Sequence, residues 1–421
     1  MTNNRAFYTT VTAQFLSALA DNALLFVAIA LLAFLKAPSW HTPLLQEFFV
    51  FAYILLAPVV GVFSDALPKG RVMFVANAIK FAGCMAMLTG IDPLYAYGIV
   101  GIGAAAYSPA KYGILTELLP PQELVAANSW MEASTVAAII LGSICGGMLV
   151  DPKLVPAMLR FAPTLNIVSA PQVGILAVGL MYLLAALVNL YIPRVAIDHR
   201  TPRKNPTYLL HDFRHAFALL WRDPQGRVSL AVTTLFWGVG ATLRLVVITW
   251  SALALKFSLG QATQLTAVVA IGIATGAFFA GRYVLLENAI KVLPAGIAVG
   301  FLVISMVFVQ HWWTAFIVMF AIGTLGGFFV VPLNALLQHR GHLLMGAGHS
   351  IAVQNFNENI GILLLLGAYT LMMKTQININ AVITMFGLFV SGSMAVIYRR
   401  CRQILPDLAP TKPITVRGAG D

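Results

Sequence analysis

Six ionisable side chains stand where such groups are expensive. Asp21, Lys80, Glu132, Arg244 and Glu358 each fall well inside an apolar run, and Lys111 lies toward the end of another. A charge at the centre of a bilayer costs about 2.5–3.5 kcal/mol on insertion scales, so five of them facing lipid would cost more than ~12 kcal/mol. That exceeds the stability of many domains. These groups must therefore face a polar cavity or one another. They do not make a catalyst. His211, Asp212 and His215 lack the Glu and the third ligand of a metalloprotease helix, and no His is followed five positions later by Asp, as a membrane acyltransferase requires. A Walker loop is also missing from the sequence, so no cofactor and no ATP drive are expected. The chemistry that remains is the binding of charge.

Asp21 lies about 12 residues into its run and Arg244 about 16 into its own, near 18 Å and 24 Å of helical rise. Aligning Phe15 with Leu235 sets Asp21 opposite Ala241, so the two charges differ by about one turn in corresponding helices. An anion and a cation so placed either close a buried ion pair or split the poles of a zwitterion. Gln354, Asn355, Glu358 and Asn359 put amides and a carboxylate along one helical stripe, a pattern that suits a cavity wall or interhelical hydrogen bonding rather than a lipid face. Asn128 and Glu132 echo it more faintly. Lys111 follows Tyr107, Ser108 and Pro109 and precedes Tyr112. Proline frees a carbonyl one turn back, so this segment can present a cation with aromatic flanks. Lys80 reads as a lysine that snorkels from a peripheral helix.

The elements that position these groups follow from composition. Of 421 residues, 59% are apolar and 10% are charged, with a mean hydropathy of +0.85. This balance excludes a soluble enzyme, a nucleic-acid reader and a disordered chain. Each spanning helix needs about 20 apolar residues. Helices are expected at 9–35, 46–67, 71–91, 94–116, 123–150 and 172–193, then at 228–255, 263–285, 291–310, 312–337, 347–373 and 378–399. That is six, a linker and six, an all-α membrane protein of 12 spans in two pseudo-symmetric bundles. The expected divisions are 1–193, a linker at 194–227, a second bundle at 228–402 and a tail at 403–421. With the N-terminus inside, Lys and Arg divide nineteen inside to five outside, so both termini are expected in the cytoplasm. The net charge of +11 is then largely topological and gives no evidence for a nucleic-acid partner. Within the linker, Leu210, Phe213, Phe217 and Leu220 have helical spacing, fitting either a short helix on the lipid surface or a solvated connector. Cys84, Cys145 and Cys401 read as free thiols.

An internal echo supports two related halves: Gly103, Pro109 and Glu117 match Gly326, Pro332 and Arg340 at equal offsets. The chain resembles the major facilitator superfamily along almost its whole length. That resemblance implies a gating loop at Gly61, Asp65, Gly70 and Arg71, although the spacing is wide and the expected basic residue after Asp65 is missing.

Several segments resemble one branch more closely. They are residues 17–25 (Ser17 to Leu25, containing Asp21 and Asn22), 103–113 (Gly103 to Gly113), Leu235 to Gly238 with Thr242 to Arg244, 326–337 (Gly326 to Leu337), and Ala352 to Asn355 with Glu358. Together they resemble the bacterial lysophospholipid transporters of Gram-negative inner membranes. The resemblance implies flipping of lysophosphatidylethanolamine and related lysolipids, lysophosphatidylglycerol among them, to the inner leaflet, where a partner acyltransferase restores the missing chain. It also implies a headgroup site in which Asp21 takes the amine and Arg244 or Lys111 with Tyr112 takes the phosphate, while Asn22, Gln354 and Asn355 beside Glu358 hold the glycerol hydroxyl. Glu132 is a candidate for the cavity or for ion coupling. The alternative reading is a proton-coupled exporter of a soluble solute or drug, with Asp21, Glu132 or Glu358 carrying the proton.

Overall fold

Turn chemistry starts the helices where the sequence places it. In a computed structural model, which describes residues 5–38, 41–151, 169–194, 206–257 and 259–404, the Asp92 side chain accepts the Leu94 N–H at 2.8 Å, with Pro93 opening the helix behind it. Asp223 does the same for the Gly226 N–H at 2.7 Å ahead of Pro224, and Ser169 with Gln172 forms a capping box. The helices so begun are α1 (Arg5–Phe34), α2 (His41–Leu55), α3 (Ala57–Ala66), α4 (Lys69–Leu88), α5 (Pro93–Leu118), α6 (Leu124–Leu149) and α7 (Ala170–Asn189). There follow α8 (Pro206–Arg222), α9 (Pro224–Ala254), α10 (Leu259–Tyr283), α11 (Leu293–Ser305), α12 (Trp312–Leu344), α13 (Ala347–Lys374) and α14 (Ile379–Ile404), with a 3-10 turn at Leu286–Val292 ahead of α11. Lys153, Arg160, residues 195–205 of the linker and the tail from 405 lie outside the described residues.

Ten of the described helices are long and apolar enough to cross a membrane, and α2 with α3 makes an eleventh span broken by a 65° bend. Pro58, one residue into α3, removes a backbone donor at that bend. The twelfth expected span is α5. It is 26 residues long but holds Tyr95, Tyr97, Tyr107, Ser108, Lys111 and Tyr112, and most of its middle is buried against protein. The protein is a multi-pass membrane protein.

Helices α1, α4, α5, α6 and α7 pack together, as do α9, α10, α11, α12 and α14. Close approach depends on glycine. A Cβ on Gly276 of α10 would stand 1.9 Å from the Thr324 carbonyl of α12, and one on Gly103 of α5 would stand 2.6 Å from the Ala76 carbonyl of α4. Gly103→Val is accordingly expected to cost ~1–3 kcal/mol through overpacking. Its measurable result is a lowered melting temperature of the detergent-purified protein.

The two sets meet at one end. Helices α3 and α5 pack on α13, and α6 packs on α10 and α12, at the end that also carries the linker helix α8. We term this the linker face. Among the described residues, α1 and α9 make no extensive contact with each other.

Helix α8 corrects the lipid-surface expectation. Phe213, Ala216 and Leu220 are buried in a cluster with Ala57 of α3, Leu230 of α9, Leu337 of α12 and Val353 of α13. The amphipathic stripe seen in the sequence seals against protein from both halves, and only part of it, including Leu210, is exposed.

Candidate substrate-binding site

Asp21 sits on α1 and accepts three hydrogen bonds from two side chains. The Lys80 ammonium of α4 stands 2.8 Å from each carboxylate oxygen, and the Tyr182 hydroxyl of α7 donates to Oδ1 at 2.7 Å. Lys80 also donates to Ser17 Oγ at 3.1 Å and lies 5.0 Å and 5.4 Å from the ring centroids of Tyr107 and Tyr182. The side chain of Lys80 is 1% exposed and that of Asp21 24%. Two expectations change here. Lys80 does not snorkel; it points into the bundle, because Gly103 lets α5 close over its stem. Arg244 is not the partner of Asp21. It is exposed, beyond Trp237 and Gly240 on α9, and among the described residues it has no ion-pair partner.

Lys111 remains without a carboxylate at salt-bridge distance among the described residues. Its ammonium lies 4.3 Å over the Tyr112 ring, a cation–π contact, and it is within electrostatic reach of Glu132, Asp21 and Glu358. Glu132 on α6 is 8% exposed. Glu358 on α13 accepts from Gln354 Nε2 at 2.7 Å and has Thr233 of α9 beside it, whose hydroxyl donates to the Leu230 carbonyl at 3.3 Å. Gln354 also donates to Asn334 Oδ1 at 2.7 Å, and its own carbonyl oxygen is buried without a partner among the described residues. Asn355 donates to Ser108 Oγ at 2.9 Å, across from one half to the other. Asn22 returns its amide to the Ala18 carbonyl at 2.8 Å, and so stands apart from the Asp21 network. Tyr53, Tyr182, Thr233 and Asn334 belong to the site and were not singled out from the sequence. Tyr182 and Tyr53 look like ordinary core aromatics in a linear reading. Only the fold shows that Tyr182 reaches Asp21 and that Tyr53 lies within the fields of Asp21 and Glu358.

The glycine, phenylalanine and leucine of α9 and α12 have a second role. Phe236, Val239 and Gly240 of α9, with Ile273, Val299, Phe329 and Met394, line an apolar cavity inside the second bundle. Thr233, beside Glu358, precedes Phe236 by less than one turn, so polar and apolar walls adjoin on one helix.

At the linker face, Asp65 draws the halves together. It accepts the Gly348 N–H at 2.8 Å and the His349 N–H at 3.1 Å, at the positive N-terminal end of α13. His349 Nδ1 lies 2.7 Å from Asp65, and its Nε2 lies 2.9 Å from Asp212 of α8. Lys69 pairs with Asp65 at 2.7 Å and with Glu117 at 3.4 Å. The base that the loop pattern lacks after Asp65 is thus supplied four residues on, from the first turn of α4. Arg71 is exposed and joins none of these pairs. Asn128 and Gln338 exchange amide hydrogen bonds at 2.9 Å and 2.8 Å between α6 and α12. His211 and His215 hold no metal-like cluster among the described residues.

A family model, the Major Facilitator Superfamily, matches residues 10–366. The lysophospholipid transporter LplT of Serratia proteamaculans (strain 568) is 45% identical over 372 residues, 88% of this chain and 89% of that protein. The chain belongs to the lysophospholipid transporter LplT family of the Major Facilitator Superfamily. The LplT of Yersinia pestis (strain Pestoides F) is likewise 45% identical, over 90% of this chain and 89% of its own length. Among solved structures, the human organic anion transporter MFSD10 (TETRAN) aligns with a TM-score of 0.72 at 14% identity, covering 94% of this chain and 99% of its own. The E. coli fucose:proton symporter FucP aligns at 0.71 and 15%, covering 94% and 98%. At such identities these two bear on the fold alone. The superfamily match spans Asp21, Lys111, Arg244 and Glu358, and the likeness to the LplT proteins makes the chain a transporter.

Proposed function

We propose that this chain carries lysophospholipids such as lysophosphatidylethanolamine and lysophosphatidylglycerol across the bacterial inner membrane to the cytoplasmic leaflet, by alternating exposure of a site between its two bundles. The observation that carries the reading is 45% identity to lysophospholipid transporters over nine-tenths of both chains. The site's chemistry suits such a cargo. Lys111, a cation without a carboxylate at bonding distance, meets the phosphate, with Tyr112 beside it. Asp21, Glu132 and Glu358 offer carboxylates to an ethanolamine ammonium. Gln354 and Asn355 serve the glycerol hydroxyl, and Asn22 does so only after leaving the Ala18 carbonyl. Arg244, exposed on α9, is free to meet the phosphate on entry.

The linker face is the cytoplasmic face, on the strength of the nineteen-to-five charge division. The contacts of Asp65, His349, Asn128 and Gln338 that join the halves there support a form in which substrate enters from the other side. Asp65 is the gating residue, and Lys69 takes the part assigned to Arg71. An acyltransferase acting on the delivered lysolipid supplies the next step.

The acyl chain occupies the apolar cavity beside Phe236. Nothing lies within 4 Å of a Cβ built on Gly240, so a larger side chain enters that cavity without meeting backbone. Gly240→Phe is expected to slow uptake of a palmitoyl lysolipid by about tenfold, the loss of roughly two buried methylenes, while sparing a lysolipid with an eight-carbon chain. Comparing the two chain lengths in one vesicle preparation checks this. The parent reading is tested by uptake of labelled lysophosphatidylethanolamine into proteoliposomes: accumulation above protein-free vesicles is expected, and none would overturn it. Including or omitting a proton gradient separates it from a proton-coupled exporter of another solute.

A further inference from the structure

We infer that Lys80 is a specificity-determining residue: as the built-in counter-ion of Asp21, it lets the site admit headgroups whose only charge is a phosphate. The inference rests on the lysolipid reading above. Lys80 is among the largest fully buried side chains, and its ammonium is surrounded by two carboxylate oxygens at 2.8 Å, the Ser17 hydroxyl at 3.1 Å and two aromatic rings. This is the environment an alkylammonium receptor provides, occupied by the protein's own primary amine. Asp21 is the partly exposed member of the pair and Lys80 the concealed one, so incoming substrate meets the carboxylate with its charge already compensated from behind. Lys111 lies within electrostatic reach of Asp21, Glu132 and Glu358 alike.

The charge balance gives the consequence. With Lys80 present, Asp21 contributes a dipole rather than a net charge, and a phosphate can approach Lys111. Remove the ammonium and three carboxylates face one lysine. A zwitterionic headgroup answers the exposed Asp21 with its own ammonium, whereas an anionic glycerol headgroup has nothing to offer it. Lys80 therefore governs the ratio of the two substrates, an effect that a purely structural ion pair does not have.

The test compares uptake of palmitoyl lysophosphatidylglycerol and palmitoyl lysophosphatidylethanolamine by the full-length protein in proteoliposomes. Lys80→Met is expected to lower the glycerol-to-ethanolamine ratio by about tenfold, the scale of one unit charge at an effective dielectric of ~20. Asp21→Asn, which leaves the ammonium uncompensated, is expected to raise it. The double variant Asp21→Asn/Lys80→Met removes the pair as a unit and should bring the ratio down from that of Asp21→Asn; it also avoids stranding one buried charge, the usual cause of misfolding. If Lys80→Met fails to reach the membrane, the Asp21→Asn ratio against the double variant decides the matter. Equal losses of both substrates, or a ratio unmoved in Asp21→Asn, make Lys80 merely structural and overturn the inference. Failure of the unmodified protein to move either lipid would instead overturn the transport reading.

Discussion

Lys111→Met is expected to lower lysophosphatidylethanolamine uptake by about 10- to 100-fold, because a hydrogen bond to a charged group contributes about 1.5–3 kcal/mol and each 1.4 kcal/mol is a factor of ten. The substitution is informative because of what Lys111 lacks. Among the described residues no carboxylate lies within salt-bridge distance of its ammonium, which rests over the Tyr112 ring. Methionine keeps most of the apolar stem and strands no directly paired anion, so folding should survive while the phosphate loses its partner. Lys111→Arg keeps the charge and should recover a large part of the rate. Tyr112→Leu removes only the cation–π contact, about 0.5–2 kcal/mol, and should cost less than Lys111→Met. Initial rates in vesicles, divided by the amount of reconstituted protein, make the comparison. Undiminished uptake by Lys111→Met would remove this lysine from the headgroup site.

Locking the linker face should stop transport altogether. A Cβ on Gly113 of α5 would lie 3.1 Å from the Ala347 Cβ of α13. Disulfides need about 3.5–4.5 Å between Cβ atoms, a gap reached by a shift of a few tenths of an ångström. In a background with Cys84, Cys145 and Cys401 replaced by alanine, Gly113→Cys/Ala347→Cys should therefore oxidise readily. The bond ties one bundle to the other beside Asp65 and His349, so the linker face cannot part. Alternating exposure requires that it part once per cycle. Uptake is expected to fall to the level of protein-free vesicles on oxidation and to return on reduction. Transport at the reduced rate by fully cross-linked protein would mean that the lipid crosses without separation of these helices.

The aromatic and amide neighbours explain why these two sites differ in how far the sequence reveals them. Lys111, Glu358 and Asp21 are conspicuous in a linear reading because a charge inside an apolar run demands compensation, whatever the fold. Their counter-ions are a different matter. Charge compensation specifies that Asp21 has a cation, and two candidates, Arg244 and Lys80, stand in other helices. Lys80 prevails through the close contact of α4 and α5 at Gly103 and the position of Tyr182 on α7, neither of which has a periodic signature. The Asp65 motif was incomplete for a related reason. A pattern with a fixed offset looks for its base immediately downstream, whereas a helix turn brings Lys69, four residues away, to the same carboxylate.

By itself the sequence determined that this is a membrane protein of helices in two related halves, because each apolar run must satisfy its own backbone in lipid and so carries its length and its class locally. It likewise determined which charges require polar company and which family the segments resemble. The tertiary structure alone decided who keeps that company: Lys80 with Asp21, Lys69 and His349 with Asp65, Asn128 with Gln338, and α8 against protein instead of lipid. Pairings between distant segments depend on how helices approach and rotate, and those are set by packing summed over the whole bundle rather than by any one stretch of chain.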